Sequence, residues 1–183
     1  IEKLDIQKKN MEHRFEWFLA DLLSPRKSKN QKETWKTYKL GNLAQFINGR
    51  GFKQSEWALV GLPIIRIQNL NGGSEFNYYD GEYDSRHYIN TGDLLFSWSG
   101  NRGTSFGPNI WSGTPGLLNQ HIFKVENTEL ISKEFLYLVL KYATKIIESK
   151  AHGGSGLVHV TKSELEKFEV ELPGSSDEFL LMS

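Results

Sequence analysis

The stretch HGGSGLVHVTKSELEKFEVELP, residues 152–173, decides how the rest of the chain is interpreted. It opens with three glycines within four residues, and it ends in a short β-like run at 168–173. Between these, Thr161 and Glu164 stand at the spacing of a capping box, in which two side chains satisfy free backbone N–H groups at a helix start. The stretch therefore predicts a glycine turn, a short helix from Thr161 and a strand.

The glycine turn fits no common catalytic or phosphate-binding motif. Gly153 to Leu157 reads G-G-S-G-L and lacks the final glycine of the G-x-S-x-G elbow that exposes a serine nucleophile. No G-x-x-x-x-G-K-[ST] phosphate loop occurs, and no two histidines stand four residues apart as a helical metal site requires. A hidden Ser-His-Asp triad containing Ser155 remains an open alternative, which loss of ester turnover in Ser155→Ala would reveal.

Working outward, short β-like runs separated by glycine and asparagine predict a mixed β-sheet. The predicted strands cover residues 35–40, 44–47, 63–70, 93–99, 119–125 and 168–173. One strong helix interrupts them, with Ser132 as its N-cap and Gly153-Gly154 as its end. Its apolar face comprises Phe135, Leu136, Val139, Leu140, Ala143, Ile146 and Ile147. The pattern indicates an α+β domain.

Residues 97–121 predict a long functional loop, because they are rich in glycine, asparagine and serine and offer little to bury. The tryptophans in this segment argue against disorder. Exposed Trp98, Trp111 and Tyr78 would suit a protein- or carbohydrate-binding module, which is the alternative function.

The first 23 residues predict a coiled-coil helix, since a seam at 3-4 spacing is apolar except for Lys8. Its partner-binding candidates are Leu4, Met11, Phe15, Phe18 and Leu22. Ser24-Pro25 ends this helix, and residues 24–34 form a basic linker. The domain then occupies 35–173, and 174–183 is a frayed tail.

Composition limits the function classes. The 183 residues support one ordinary core, and the absence of cysteine excludes disulfides and thiolate zinc sites. The 22 basic and 22 acidic residues cancel, so no global charge argument favours nucleic acid. No apolar run approaches the roughly 20 residues of a membrane span, so we expect a cytoplasmic protein with no membrane partner.

Six phrases in order resemble a target recognition domain of a type I restriction-modification specificity subunit. They are WKTYKLGNLAQFINGRGF (35–52), GLPIIRIQNLNGG (61–73), INTGDLLFSWSGNRG (89–103), LLNQHIFKV (117–125), FLYLVL (135–140) and the opening stretch. The N-terminal helix is similar to part of the family's coiled-coil spacer. Such subunits have two recognition domains and two spacers, and here residues 174–183 stand where the second spacer follows. This difference is compatible with a half-subunit, a truncated product or a fragment.

The resemblance implies a non-catalytic component that recognises half of a bipartite site in double-stranded DNA. Methyltransferase subunits would bind S-adenosylmethionine and modify adenine, so this chain itself needs no cofactor or metal. Restriction subunits and a second copy of the chain, bound through the N-terminal helix, are further expected partners.

The DNA-contact candidates are polar residues in or beside glycine-rich loops. They are Arg50, Lys53, Gln68, Asn69, Asn101, Arg102, His152, Ser155, His159 and Lys162. Arginine can hold guanine through two hydrogen bonds, whereas lysine is better suited to phosphate. The glycine turn itself is interpreted first as a tight backbone bend and second as a point of DNA approach. The same order applies to Asn119 and Gln120, whose amides match adenine but also suit structural hydrogen bonds.

Overall fold

The computed structural model describes residues 35–150 and 156–173, and these two ranges form an α+β fold. The strands are β1 Trp35–Lys39, β2 Ala44–Asn48, β3 Leu62–Ile65, β4 Asn77–Tyr79, β5 Tyr88–Ile89, β6 Leu94–Ser97, β7 Ser99–Asn101, β8 Gly107–Ile110, β9 Gly116–Leu118, β10 Ile122–Asn127, β11 Leu157–His159 and β12 Glu169–Pro173. The helices are α1 Leu40–Leu43, α2 Ile67–Leu70, α3 Lys133–Lys150 and α4 Lys162–Lys167, with 3-10 turns at Gln54–Glu56 and Ser85–His87.

Two four-stranded sheets form the centre of the domain. The first has the antiparallel order β2-β10-β6-β8, and the second has the order β4-β3-β9-β5 with β3 and β9 parallel. Strand β6 is buried along its whole length. Leu94 and Phe96 pack in the hydrophobic cluster that contains the buried face of α3, and Leu95 packs in a second cluster with residues of the second sheet. The first sheet thus lies between α3 and the second sheet, which explains why β6 is continuously apolar.

Helix α3 confirms the apolar face predicted from its spacing. The backbone N–H of Phe135 donates to the Ser132 hydroxyl at 3.3 Å, so Ser132 caps the helix as expected. Five of the seven predicted face residues are buried, and Ile146 and Ile147 are half-buried.

Two predicted strands have the wrong bounds. The run 63–70 ends as a strand at Ile65, because the Asn69 side chain accepts from the Arg66 N–H at 2.9 Å and fixes the helical turn α2. The run 119–125 begins with a turn instead, in which the Ile122 N–H donates to the Asn119 carbonyl at 3.2 Å. Strand β10 starts only at Ile122.

The prediction of one long loop over 97–121 is also wrong. This segment contributes β7, β8 and β9, whose partners are β11, β6, β3 and β5. Phe106 and Trp111 within it belong to the core. Strands of three or four residues show too little alternation to be recognised when their partners are distant in sequence.

The N-terminal helix, the basic linker and the tail lie outside the described residues, as do Leu4, Met11, Phe15, Phe18 and Leu22. None of the helices within 35–150 and 156–173 combines the length and the apolar character needed to cross a membrane.

The capping box at α4 is present as predicted. The Glu164 N–H donates to the Thr161 hydroxyl at 3.3 Å, and the Thr161 N–H donates to the Glu164 carboxylate at 2.8 Å. The hydrogen bond from the Thr161 hydroxyl, with that from its backbone, lowers the pKa of Glu164 below its usual value. This arrangement fixes the start of the helix that carries Lys162.

We expect Thr161→Ala to reduce the free energy of unfolding by about 1 kcal/mol, since the first turn of α4 loses its cap. The pKa of Glu164 should rise toward its ordinary value at the same time. Urea unfolding and an NMR titration measure the two effects. Ser163→Ala, an exposed change on the same helix, is the control and should alter neither quantity. Identical results for both variants would contradict the capping role.

Candidate nucleic-acid interface

Trp98 joins three separate segments of the chain. It is the single residue between β6 and β7, and its indole N–H donates to the Gln120 carbonyl at 3.0 Å. Its backbone N–H donates to His121, and its carbonyl accepts from Val160 at 3.0 Å. The residue therefore fixes the 119–121 turn and the end of β11 to the first sheet.

Two exposed histidines flank the half-buried Trp98 ring. The rings of His121 and His159 each lie 5.0 Å from it between centroids, and Phe123 stacks against it at 5.9 Å. His159 reaches this place because it pairs with Ser99 in the β7-β11 ladder. Trp98 thus contacts three rings, and its contacts with His121 and His159 hold both imidazoles at defined positions on the surface.

A cleft of about 250 Å³ extends from Trp98 to Lys162. Asn48, at the end of β2, and Thr161 also line it, together with His159. The Lys162 ammonium lies 3.6 Å from the Glu166 carboxylate on the next turn of α4. An exposed ion pair of this kind is weak, so phosphate can compete for the lysine.

A larger cleft of about 500 Å³ shares Asn48 and Lys162 with the first and adds Arg86, His87 and Lys124. Each of the two new cations has carboxylate partners. The Arg86 side chain and backbone lower the pKa of Asp84 to about 2, and Lys124 lies 3.3 Å from Glu126 and 3.7 Å from Asp93. This cleft is polar, but its positive charge is largely balanced.

Gln68, Asn119 and His121 line a small cleft of about 160 Å³ together with Arg66. The Asn119 N–H donates to the Ile65 carbonyl at 3.0 Å, which brings this turn against the end of β3. The contact of His121 with Trp98 joins this cleft to the one that contains Lys162. We call the surface formed by Gln68, Asn119, His121, Trp98, His159 and Lys162 the recognition strip. It brings together three of the predicted DNA-contact residues from distant segments.

Arg50 and Lys53 lie beside the strip rather than on it. The Arg50 N–H donates to Leu118, next to Asn119, but its guanidinium pairs with Glu56. The same guanidinium lies over the rings of Phe52 and Tyr79 at 4.6 and 4.8 Å. The Lys53 backbone N–H lowers the pKa of Glu56, and Arg50 lowers it further, so the Glu56 carboxylate keeps its charge at neutral pH. Arg50 therefore reaches a base only by leaving this pair, whereas the Lys53 side chain is exposed.

Asn69 has a structural position that conflicts with its predicted role as a DNA contact. It is buried, and its amide donates to the carbonyls of Gly73 and Glu75 while accepting from Arg66. These three bonds occupy the amide inside the α2 turn, so we remove Asn69 from the proposed contact set.

Asn101 and Arg102 lie at the opposite end of the β7-β11 ladder from His159. Both are exposed, and Asn101 pairs with Leu157 while the Arg102 backbone N–H donates to Gly156 at 2.8 Å. Gly156 has a φ of +67°, a backbone conformation that favours glycine. The structure thus supports a tight bend at this glycine, whereas His152, Ser155 and the first two glycines lie outside the described residues.

Several residues that line the clefts were not predicted as DNA contacts: Asn48, Arg66, Arg86, His121 and Lys124. Arg66, Arg86, His121 and Lys124 do not lie in a glycine-rich loop. The local signals were the position of Asn48 directly before Gly49 and the Asn119-Gln120 pair, which marks a turn between two apolar runs. Within the described ranges, no three histidine or acidic side chains are grouped as a metal ion would require.

The alternative function, a binding module built on exposed Trp98, Trp111 and Tyr78, does not agree with the burial of these rings. Trp111 is 4% exposed and its indole N–H donates to the Thr114 carbonyl at 2.8 Å. Trp98 and Tyr78 are half-buried, with Trp98 enclosed by the rings described above. A glycan-binding or protein-binding face built on these three rings is therefore not supported.

Comparison with known proteins extends the resemblance. The model of the type I restriction modification DNA specificity domain matches residues 32–178. The EcoBI specificity subunit of Escherichia coli is 26% identical over 152 residues, which are 81% of this chain and 31% of that subunit. This chain thus spans under a third of that relative's length.

Solved structures show the same fold at low identity. The HsdS subunit from Thermoanaerobacter tengcongensis superposes with a TM-score of 0.62 at 17% identity, over 94% of this chain and 41% of that one. The type I S subunit from M. genitalium has a TM-score of 0.54 at 15% identity, over 82% of this chain and 37% of that one. Because the family model covers most of the sequence, the chain belongs to the type I restriction-modification DNA specificity domains.

Proposed function

We propose that this chain is a DNA sequence-specificity component that reads one half of a bipartite target through the recognition strip. The observation that carries the proposal is that His159 and Lys162 line one cleft with Trp98, while Gln68 lines a second cleft with His121, whose ring contacts Trp98. The amides of Gln68 and Asn119 match the hydrogen-bonding edge of adenine, and the ammonium of Lys162 suits phosphate. The family membership supports the same conclusion.

The chain would act without catalysis of its own. Methyltransferase subunits would dock on it, bind S-adenosylmethionine and modify adenine, and restriction subunits would cut. The N-terminal residues 1–23 would supply a helical contact to a methyltransferase subunit or to a second copy of the chain. A DNA-acting component of this kind would work in the cytoplasm.

The balanced charge of the domain affects how it would bind DNA. Lys124, Arg86 and Lys162 already have carboxylate neighbours, so each phosphate contact must compete with an existing ion pair. Nonspecific affinity depends mainly on the number of phosphates neutralised. We therefore expect weak binding by the isolated chain and most of the affinity in the complex with methyltransferase subunits.

Lys162 on the strip and Arg102 at the other end of the β7-β11 ladder test the division between phosphate binding and base reading. We expect Arg102→Ala to cost about 1 to 3 kcal/mol on the cognate duplex and to relax discrimination at one base pair. Lys162→Ala should weaken cognate and scrambled duplexes equally and reduce the salt slope by about one. Titrations of the methyltransferase complex at several salt concentrations measure both effects.

Matched variants make this test specific. Arg102→Lys keeps the charge but loses the two parallel hydrogen bonds, so it should fail to restore discrimination. Lys167→Ala removes an exposed charge from the same helix as Lys162 and should leave binding unchanged. Equal loss on all sequences for Arg102→Ala would make it a phosphate contact, and unaltered binding in Lys162→Ala, the variant on the strip itself, would contradict the proposed interface.

A further inference from the structure

Arg66 differs from the other lysine and arginine residues that line the three clefts, because it has no carboxylate partner in the described part of the chain. Arg86, Lys124 and Lys162 each lie between 2.7 and 3.6 Å from an acidic side chain. Within the same described residues the Arg66 guanidinium forms no hydrogen bond, and its Nε atom is buried. A buried N–H without a partner is uncommon in folded proteins. Arg66 can therefore bind a ligand without first giving up an ion pair.

Trp57 supports the Arg66 guanidinium. The central carbon of the guanidinium lies over the Trp57 ring, 4.7 Å from its centroid, and the ring attracts the cation. Trp57 is itself fixed, because its N–H donates to the Gln54 carbonyl at 3.2 Å and the N–H of Ala58 donates to the Tyr78 carbonyl at 2.9 Å. The orientation of the guanidinium is thus limited before any ligand arrives, which reduces the entropy lost on binding.

The backbone of Arg66 is also held in place. Its N–H donates to the Asn69 side chain at 2.9 Å, and its carbonyl accepts from the Asn69 N–H at 2.9 Å. The Ile65 carbonyl, one residue earlier, accepts from the Asn119 N–H, so the 119–121 turn lies against this segment. Arg66 therefore occupies a defined position in the 160 Å³ cleft, beside Gln68 and Asn119 of the recognition strip.

We propose that Arg66 reads a guanine of the DNA target and that Trp57 is its positioning residue. This inference rests on the proposed function and adds a base and a residue to it. A guanidinium can donate two hydrogen bonds to O6 and N7 of guanine in the major groove. Its neighbours in the cleft favour a base over phosphate, because the amides of Gln68 and Asn119 match base edges and the cleft contains no lysine. A contact to phosphate would give no preference for one base.

The test uses the full chain in complex with purified methyltransferase subunits, and a library of randomised DNA duplexes that is sequenced after binding. The parent should select a motif. Arg66→Ala should lose about 5- to 150-fold of the preference at one G·C pair and keep the preferences at the other positions. Arg66→Lys keeps the charge but not the two parallel hydrogen bonds, so it should lose the same preference.

A modified base tests the contact itself. 7-Deazaguanine lacks the N7 acceptor, so a duplex that carries it at the affected position should bind the parent more weakly than the unmodified duplex. Arg66→Ala should bind the two duplexes equally, because the hydrogen bond to N7 is already lost. If the modified base weakens both proteins to the same extent, Arg66 does not contact that guanine.

Variants of Trp57 separate positioning from a purely structural role. Trp57→Ala should weaken the preference at the same G·C pair, and Trp57→Phe should restore most of it because a ring remains under the cation. Lys141→Ala is the matched control, since the Lys141 ammonium lies over the Tyr137 ring at 5.8 Å and lines none of the three clefts. It should select the parent motif. A parent motif selected by both Trp57 variants would overturn the positioning role.

The remaining outcomes distinguish this inference from the proposed function. If both Arg66 variants select the parent motif, the inference is wrong and the proposed function stands. Equal weakening on all duplexes would make Arg66 a phosphate contact, which also overturns the inference. A parent complex that selects no motif overturns the proposed function as well. Thermal unfolding shows whether each variant is folded, and Arg66→Lys decides the result if Arg66→Ala is not.

Discussion

Gly49→Ala is expected to lower the free energy of unfolding by about 3 kcal/mol, at the upper end of the usual cost of overpacking. A Cβ at this position would lie 2.1 Å from the Asn119 carbonyl oxygen and 2.6 Å from that of Leu118. Both atoms are backbone, so no side-chain rotation relieves the clash. The junction that must open also carries the hydrogen bonds from Gly49 to Ile122 and from Arg50 to Leu118. Urea unfolding measures the loss.

Gly51→Ala provides the control two residues away. The closest neighbour of its added Cβ would be the side-chain oxygen of Gln120 at 2.7 Å, which is the end of a flexible side chain. Gln120 is exposed and can rotate away, so we expect a change of about 0.5 kcal/mol or less. If the two alanine variants are equally stable, the close approach of backbone at Gly49 is not the reason for glycine there.

Phe123→Ala should destabilise the domain by about 3 to 5 kcal/mol, the usual cost of removing a buried ring. Phe123 is 2% exposed and contacts the edge of Phe46 at 5.9 Å between centroids. The Trp98 ring also stacks on Phe123, at an interplanar angle of 27°. Deleting the ring therefore removes part of the core and the support beneath the recognition strip. Chemical denaturation and DNA titration at a temperature where the variant remains folded separate the two effects.

Phe123→Leu keeps much of the volume and should cost less than about 1.5 kcal/mol. It should also retain more of the DNA discrimination than the alanine variant, because Trp98 keeps a neighbour beneath it. If both variants lose stability equally, or if the folded alanine variant discriminates between duplexes as well as the parent, Phe123 does not support the strip.

The parts of the fold that could be predicted are those held by contacts between residues close together in the sequence. Ser132 and Thr161 cap helices through residues three positions away, so their patterns are visible without knowledge of the tertiary structure. Strands β8 and β9 are not visible in this way, because their hydrogen-bonding partners lie far away in the chain. Gln68 and Asn69 illustrate the same limit for the site. Both are amides in one predicted strand, but the α2 turn exposes the first and buries the second.

The recognition strip was predictable in residue type but not in arrangement. Lys162, His159 and Gln68 were selected because polar residues in loops often bind ligands. Their convergence depends on Trp98, whose hydrogen bonds join residues more than 20 positions apart. Arg50 was selected on the same basis, but its pairing with Glu56 and stacking on Tyr79 could not be read from local sequence.

Enclosure of β6 on both faces limits where this domain can change during evolution. Any substitution among Leu94, Leu95 and Phe96 disturbs the packing on one side of the strand or the other, and so affects the whole domain. The exposed side chains of Gln68 on α2 and of Gln120 and His121 in the 119–121 turn instead point away from this scaffold, so their replacement alters few buried contacts. We therefore expect homologues to acquire new target sequences by exchanging such exposed side chains, while the backbone of the turn and the central strand stay constant.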